Sequence, residues 1–138
     1  MTTSAGGGIG QMVSFKAESD LSSLQYCGVR LTAANTVGTS YISGTDRIIG
    51  VTQNKAEAAG QPVDTQINGV TKVLTSGTCS AGDLLICGSD AKFRTVLAAD
   101  VAATYFSVIA LEAASATAAS GGGDIISALI RPSIGSVS

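Results

Sequence analysis

Ten carboxylates and three cysteines are candidates for chemistry here, and the chain has no histidine to work beside them. Without imidazole the commonest general base, the standard serine triad and most catalytic zinc sites fall away. Asp83 and Asp90 are the closest interesting carboxylate pair. They stand in Ala81-Gly82-Asp83 and Ser89-Asp90-Ala91, contexts that favour aspartate because its side chain bonds the local backbone. Both are therefore read as turn residues. Asp100, Glu112 and Asp124 are scattered and are read as solvated. Cys27, Cys79 and Cys87 are odd in number and match no metal-ligand spacing. Cys79 and Cys87 flank the turn Ser80-Ala81-Gly82-Asp83, which leaves a cross-hairpin disulfide open, but small buried thiols are the preferred reading. Gly6-Gly7-Gly8-Ile9-Gly10 has neither the preceding strand of a dinucleotide fingerprint nor the Lys-Ser/Thr of a P-loop. Gly121-Gly122-Gly123 lies between strands rather than before a helix, so it offers no helix terminus to an anion. The residues predict no catalytic centre, no cofactor and no metal.

The composition narrows the partners. Only 13% of the 138 residues are charged, against roughly 25% in ordinary soluble domains. A surface so poor in charge points to one that is covered in the working state, by sister subunits or by a larger surface. Net charge is -2. The basic residues are spread along the chain, with only Lys92 and Arg94 close together, so nucleic acid is not the expected partner. No run reaches the roughly 20 apolar residues of a membrane span. Met1 to Gly8 has neither a basic start nor an apolar core, and the chain is expected to be made in the cytoplasm and kept there until assembled.

The elements that must position these residues are strands. Trp is absent and seventeen residues are Gly, so the core rests on Val, Ile and Leu joined by many turns. One phrase occurs twice, about 60 residues apart by inspection of its two copies. The first copy is Ile49-Gly50-Val51-Thr52, then Ala56 to Gly60, then Val63 and Ile67 to Val70. The second is Ile109-Ala110-Leu111-Glu112, then Ala113 to Ala119, then Ile125 and Ala128 to Ile130. Each reads as two apolar strands around an Ala/Ser/Gly-rich connection, that is, two similar hairpins rather than proof of duplication. Further strands are expected near 25–32, at Asp83 to Cys87 and at Phe93 to Val96. Ala33 to Gly38 is read as a turn, Tyr41-Ile42 as a short extended piece, and Ala98 to Ala103 as a short helix or loop. Asn68-Gly69, between Val63–Ile67 and Val70–Leu74, is the strongest hairpin signal. The expected fold is all-β, a small β-barrel or β-sandwich of about eight short strands. Its parts are a flexible N-terminal arm over 1–16, a β-domain over 17–132 and a tail over 133–138.

The arm is Gly-rich yet carries Ile9, Met12, Val13 and Phe15, and no charge falls in the first fifteen residues. These four side chains are expected to lie in a groove of a neighbouring subunit or of a larger assembly.

Three stretches carry a resemblance. Gly50-Val51, Ala56 to Val63 and Ile67 to Val70 resemble a strand pair of tailed-phage capsid decoration (cement) proteins. Ser80-Ala81-Gly82-Asp83-Leu84-Leu85 is similar to their A-G-D-hydrophobic turn. Ile109 to Ala114, leading into Ile125 to Ile130, is similar to their closing pair. The resemblance spans roughly residues 45–132. It implies a homotrimer that binds the major capsid protein on the outside of an icosahedral head and stabilises the expanded shell. The alternatives are another phage structural module, such as a head fibre or tail component, and a carbohydrate-binding module.

Overall fold

A computed structural model describes residues 11–39, 48–88, 90–96, 106–115 and 124–132. Alternation of apolar and polar residues sets most of its strands. In Pro62–Gln66, Val63 and Thr65 are buried while Pro62 and Asp64 are exposed. In Val70–Leu74, Thr71 and Val73 point inward and Lys72 outward. The described residues form ten strands: β1 Met12–Ala17, β2 Gly28–Ala33, β3 Thr36–Gly38, β4 Ile48–Thr52, β5 Pro62–Gln66, β6 Val70–Leu74, β7 Leu84–Cys87, β8 Phe93–Thr95, β9 Phe106–Ala110 and β10 Ile125–Pro132. The fold is all-β. The first five strands close into a barrel in the order β1-β3-β2-β4-β5, and the last five form a sheet in the order β6-β10-β9-β7-β8.

The two halves are the same unit built twice. In the barrel β1 runs parallel to β3, and every other neighbour is antiparallel. In the second sheet the neighbours are antiparallel, and a parallel bridge from Thr75 to Phe93 joins the end of β6 to β8. Replacing β1 to β5 by β6 to β10 in order therefore turns one topology into the other. The registers agree as well. Ala17 opposite Val37 becomes Thr75 opposite Phe93. Val29 opposite Gly50 becomes Leu85 opposite Val108, and Leu31 opposite Val37 becomes Cys87 opposite Phe93. Val51 opposite Gln66 becomes Ile109 opposite Leu129.

Loop geometry repeats with the strands. The left-handed residues Tyr26 (φ 64°) and Gly82 (φ 93°) take equivalent places before β2 and β7, and Asn35 (φ 54°) and Ala91 (φ 69°) do so before β3 and β8. Glu18 N donates to Val37 O at 2.9 Å, as Ser76 N does to Phe93 O at 2.9 Å. Side-chain bonds follow suit. Asn54 Oδ1 accepts from Asp64 N at 2.8 Å and Glu112 Oε2 from Ser127 N at 2.8 Å. Gln61 Oε1 accepts from Glu57 N at 2.8 Å and Asp124 Oδ2 from Ser115 N at 2.7 Å.

Each unit has its own apolar cluster. Ala17, Leu21, Val29, Val37, Ala56 and Val63 fill the barrel. Val73, Leu85, Phe93, Phe106, Val108, Ile126 and Ile130 lead the second cluster, and Cys27, Ile48 and Val51 of the first unit turn into it. That insertion joins the units. Gln53 Nε2 donates to Thr71 Oγ1 at 2.8 Å, Leu74 N to Tyr26 O at 2.8 Å, and Gly28 N to Ala91 O at 2.9 Å across the joint.

Four expectations change. Residues 12–16, assigned to the arm, are most of β1, paired with β5 from Met12–Gln66 to Lys16–Pro62. Phe15 and the following Ala17 turn toward the barrel cluster, a pattern that composition averaged over a Gly-rich lead conceals. Thr36–Gly38, read as part of a turn, is β3, and the turn is confined to Ala34-Asn35. Asn68-Gly69 is not a hairpin. β5 pairs with β1 and β4, whereas β6 pairs with β10, so this step carries the chain from one unit to the next. Gly69 still takes the left-handed conformation (φ 79°), and the Gln66 amide, donating to Asn68 O at 3.0 Å and Val70 O at 2.6 Å, ties the crossing together. Ten strands replace the expected eight or so. The expected pairings of Ile49–Thr52 with Val63 onward and of Tyr105–Leu111 with Ile125–Ile130 are present as β4·β5 and β9·β10. Tyr41-Ile42, Ala98 to Ala103, Gly121 to Gly123 and the tail 133–138 lie outside the described residues.

Candidate contact surfaces

Asp83 and Asp90 are tied into turns, and Cys27 and Cys87 are buried. Asp83 Oδ2 accepts from Ser80 N at 2.8 Å while Asp83 N donates to Ser80 O at 3.1 Å. Asp90 Oδ1 accepts from Lys92 N at 3.1 Å. Both behave as the turn residues their contexts predict. The Ser127 amide holds the Glu112 carboxyl below its ordinary range, and the Ser22 hydroxyl and amide do the same for Asp20. Among the described residues no group of three or more His, Cys, Asp or Glu gathers at metal-binding distance.

The three thiols are free, with Cys27 and Cys87 buried and Cys79 half-buried. Cys79 sits opposite Ala114 and Cys87 opposite Phe93, so they do not face one another. Burial pushes the Cys27 thiol up to about 12, with Lys92 pulling down and Asp90 pushing up to lesser degrees. Burial likewise raises Cys87. These thiols fill space as small apolar groups and are poor nucleophiles at neutral pH.

Among the described residues the surface offers apolar area in two places. Met12 is 60%, Val13 39% and Leu31 46% exposed, all on the first unit. Of the side chains expected to make contacts, Met12 and Val13 are thus open, Phe15 packs against the barrel cluster, and Ile9 lies outside the described residues. An open depression of about 340 Å³ runs alongside, lined by Ser14, Phe15, Lys16, Asn35, Gly60 and Pro62.

The second place was not foreseen from the sequence. Leu111, Ile125 and Leu129 are 47%, 54% and 39% exposed on the outer face of the second sheet. Strand register sets Leu84, Ile109, Leu129 and Val70 side by side across four strands. The outer face of an antiparallel sheet is normally polar; here Lys72 and Ser127 alone interrupt the aliphatic side chains of β6 and β10 over Val70–Leu74 and Ile125–Leu129. The signal was present in the near-continuous apolar run of β10, which is more than one buried face requires.

No protein-family model matches the chain, and no curated protein matches it significantly.

Proposed function

We propose that this chain is a virion structural protein. In this reading it binds the outer surface of an icosahedral phage capsid as a homotrimer and stabilises the expanded shell, having been made in the host cytoplasm. The major capsid protein and further copies of the chain are its partners. The observation that carries the reading is the pairing of an all-β body with two uncovered apolar surfaces, while the carboxylates nearest to a catalytic spacing, Asp83 and Asp90, accept from local backbone amides. Such a body is suited to binding. The stretches that resemble decoration proteins fall on β4·β5, on the turn before β7 and on β9·β10, the elements that frame both units.

The mechanism is linkage. A protein that binds only the expanded shell stabilises that state by its binding free energy, multiplied over many sites. Expanded heads assembled without the chain, mixed with the purified protein, provide the test. Saturable, symmetry-ordered density in cryo-electron microscopy, with a higher disruption temperature of the shell, is the expected result. Heads that remain bare at saturating protein overturn it and favour a fibre or tail module.

A further inference from the structure

The repeated unit makes the molecule's own internal joint a template for an external one. Within one chain, the first unit presents Gly28, Val51, Gln53 and Gln66 to the second, which answers with Val70, Thr71 and Cys87. Each of these residues has a counterpart in the other unit, fixed by strand register. The counterparts of the first set are Leu84, Ile109, Leu111 and Leu129, on the uncovered face of the second sheet. Those of the second set are Met12, Val13 and Leu31, at the uncovered end of the barrel. Among the described residues, five of the six large exposed hydrophobic residues, all but Ile125, thus occupy positions that the internal joint covers in the other unit.

We infer that a second copy of this chain docks head to tail, its Met12/Val13/Leu31 end seating on the Leu84/Ile109/Leu111/Leu129 face of the first. The paired replacements identify the occupant as another copy. Where the internal joint bonds Gln53 to Thr71 at 2.8 Å, the external one opposes Leu111 to Val13. Where Gln66 bonds the Val70 carbonyl at 2.6 Å, Leu129 meets Met12. Where Gly28 lies against Cys87, Leu84 meets Leu31. The Gln53/Thr71 pair becomes apolar on both sides, Gln66 becomes Leu129 opposite an apolar residue, and Gly28/Cys87 become two leucines, which matches two surfaces that desolvate one another. The larger side chains at the third pair set the second copy farther out than the internal joint, so the two contacts are quasi-equivalent. An interface between unlike surfaces propagates, closing into a ring where the rotation allows and otherwise extending. This specifies the self-contact within the reading of a capsid-bound oligomer, but it needs only the purified chain and is tested without capsids.

Two exposed substitutions provide the test, Leu31→Lys at the barrel end and Leu129→Lys on the sheet face. Each is checked for an unchanged far-ultraviolet spectrum and a cooperative melt. Should either fail that check, Met12→Lys or Leu111→Lys takes its place. By light scattering at micromolar concentration, the full chain should be oligomeric and each variant alone monomeric. An equimolar mixture of the two variants should give a dimer and nothing larger, because one intact face and one intact end remain between them. A monomeric parent, variants that still assemble, or a mixture that stays monomeric overturns the inference.

Discussion

A methyl group built on Gly28 would lie 2.6 Å from Cys87 Sγ and 3.2 Å from Cys87 Cβ. The two residues belong to different units and meet at the joint. Gly28 has ordinary backbone geometry, so the missing side chain matters for space rather than for φ. Gly28→Ala should lower stability by roughly 1–3 kcal/mol through overpacking. Cys87→Ala alone should cost about 1 kcal/mol for the lost sulfur contacts. The double variant should be more stable than the sum of the two costs, since removing the sulfur clears the clash. Urea denaturation of the four proteins measures the coupling. Strict additivity would show that the units do not meet there.

Left-handed residues pin the loops, and their substitution should sort by backbone strain. Gly69 (φ 79°) carries the crossing between units and Ala91 (φ 69°) the turn before β8. Gly69→Val should cost at least about 1 kcal/mol, because β-branched residues are strained at positive φ. At Ala91, which is 1% exposed, Val adds overpacking to the same strain and should cost more than about 2 kcal/mol. Ala91→Gly should lie near zero, since relief of strain offsets the lost methyl contact of about 0.8 kcal/mol. Thermal melts that rank Gly and Val equally at 91 would refute this geometry.

Alkaline pH should reveal the buried thiols. Cys27 is raised by burial from the ordinary 9.0 to about 12, and Cys87 is raised for the same reason. The folded state keeps both protons where the unfolded chain releases them. Their contribution is therefore complete below about pH 9 and is lost as pH rises toward the folded values, at up to about 1.4 kcal/mol per pH unit for each thiol. Unfolding free energies from pH 8 to 11 should fall more steeply for the parent than for the Cys27→Ala/Cys87→Ala variant. Parallel curves would place the thiols in contact with water.

The repeat was legible in part. Ile49 and Ile109 begin the two copies of the apolar phrase, whereas register equates Val51 with Ile109, two residues further along. An even slip leaves side chains on the same face of a strand, so the sequence comparison found the right faces at the wrong positions. Across β4 and β9 no residue is identical between the units. What recurs is apolar pattern, left-handed turn positions and carboxamide or carboxylate groups that bond strand amides. Asn68-Gly69 misled because local turn chemistry says nothing about which strand each neighbour will choose. The sheet-face patch was hidden because an apolar strand looks alike whether its second face meets a core or stands uncovered.

The placement of β1 changes what N-terminal truncation should do. Met12, Val13 and Ser14 pair with Gln66, Thr65 and Asp64, and Gln11 N donates to Asn68 Oδ1 at 2.7 Å while Gln11 O accepts from Ile67 N at 2.9 Å. Among the described residues those contacts begin at Gln11, and removing residues 2–10 keeps every one of them. Removing residues 2–14 deletes half of a barrel strand and exposes unpaired groups along β5. At about 0.5–1.5 kcal/mol for each lost backbone bond, the longer deletion should cost roughly 2–4 kcal/mol. It also removes Met12 and Val13 from the barrel end, so it should abolish self-association even in the cold, where the barrel remains folded. Urea titration combined with light scattering separates the two effects. Equal stability and equal assembly for both truncations would return residues 12–14 to the role of a dispensable arm.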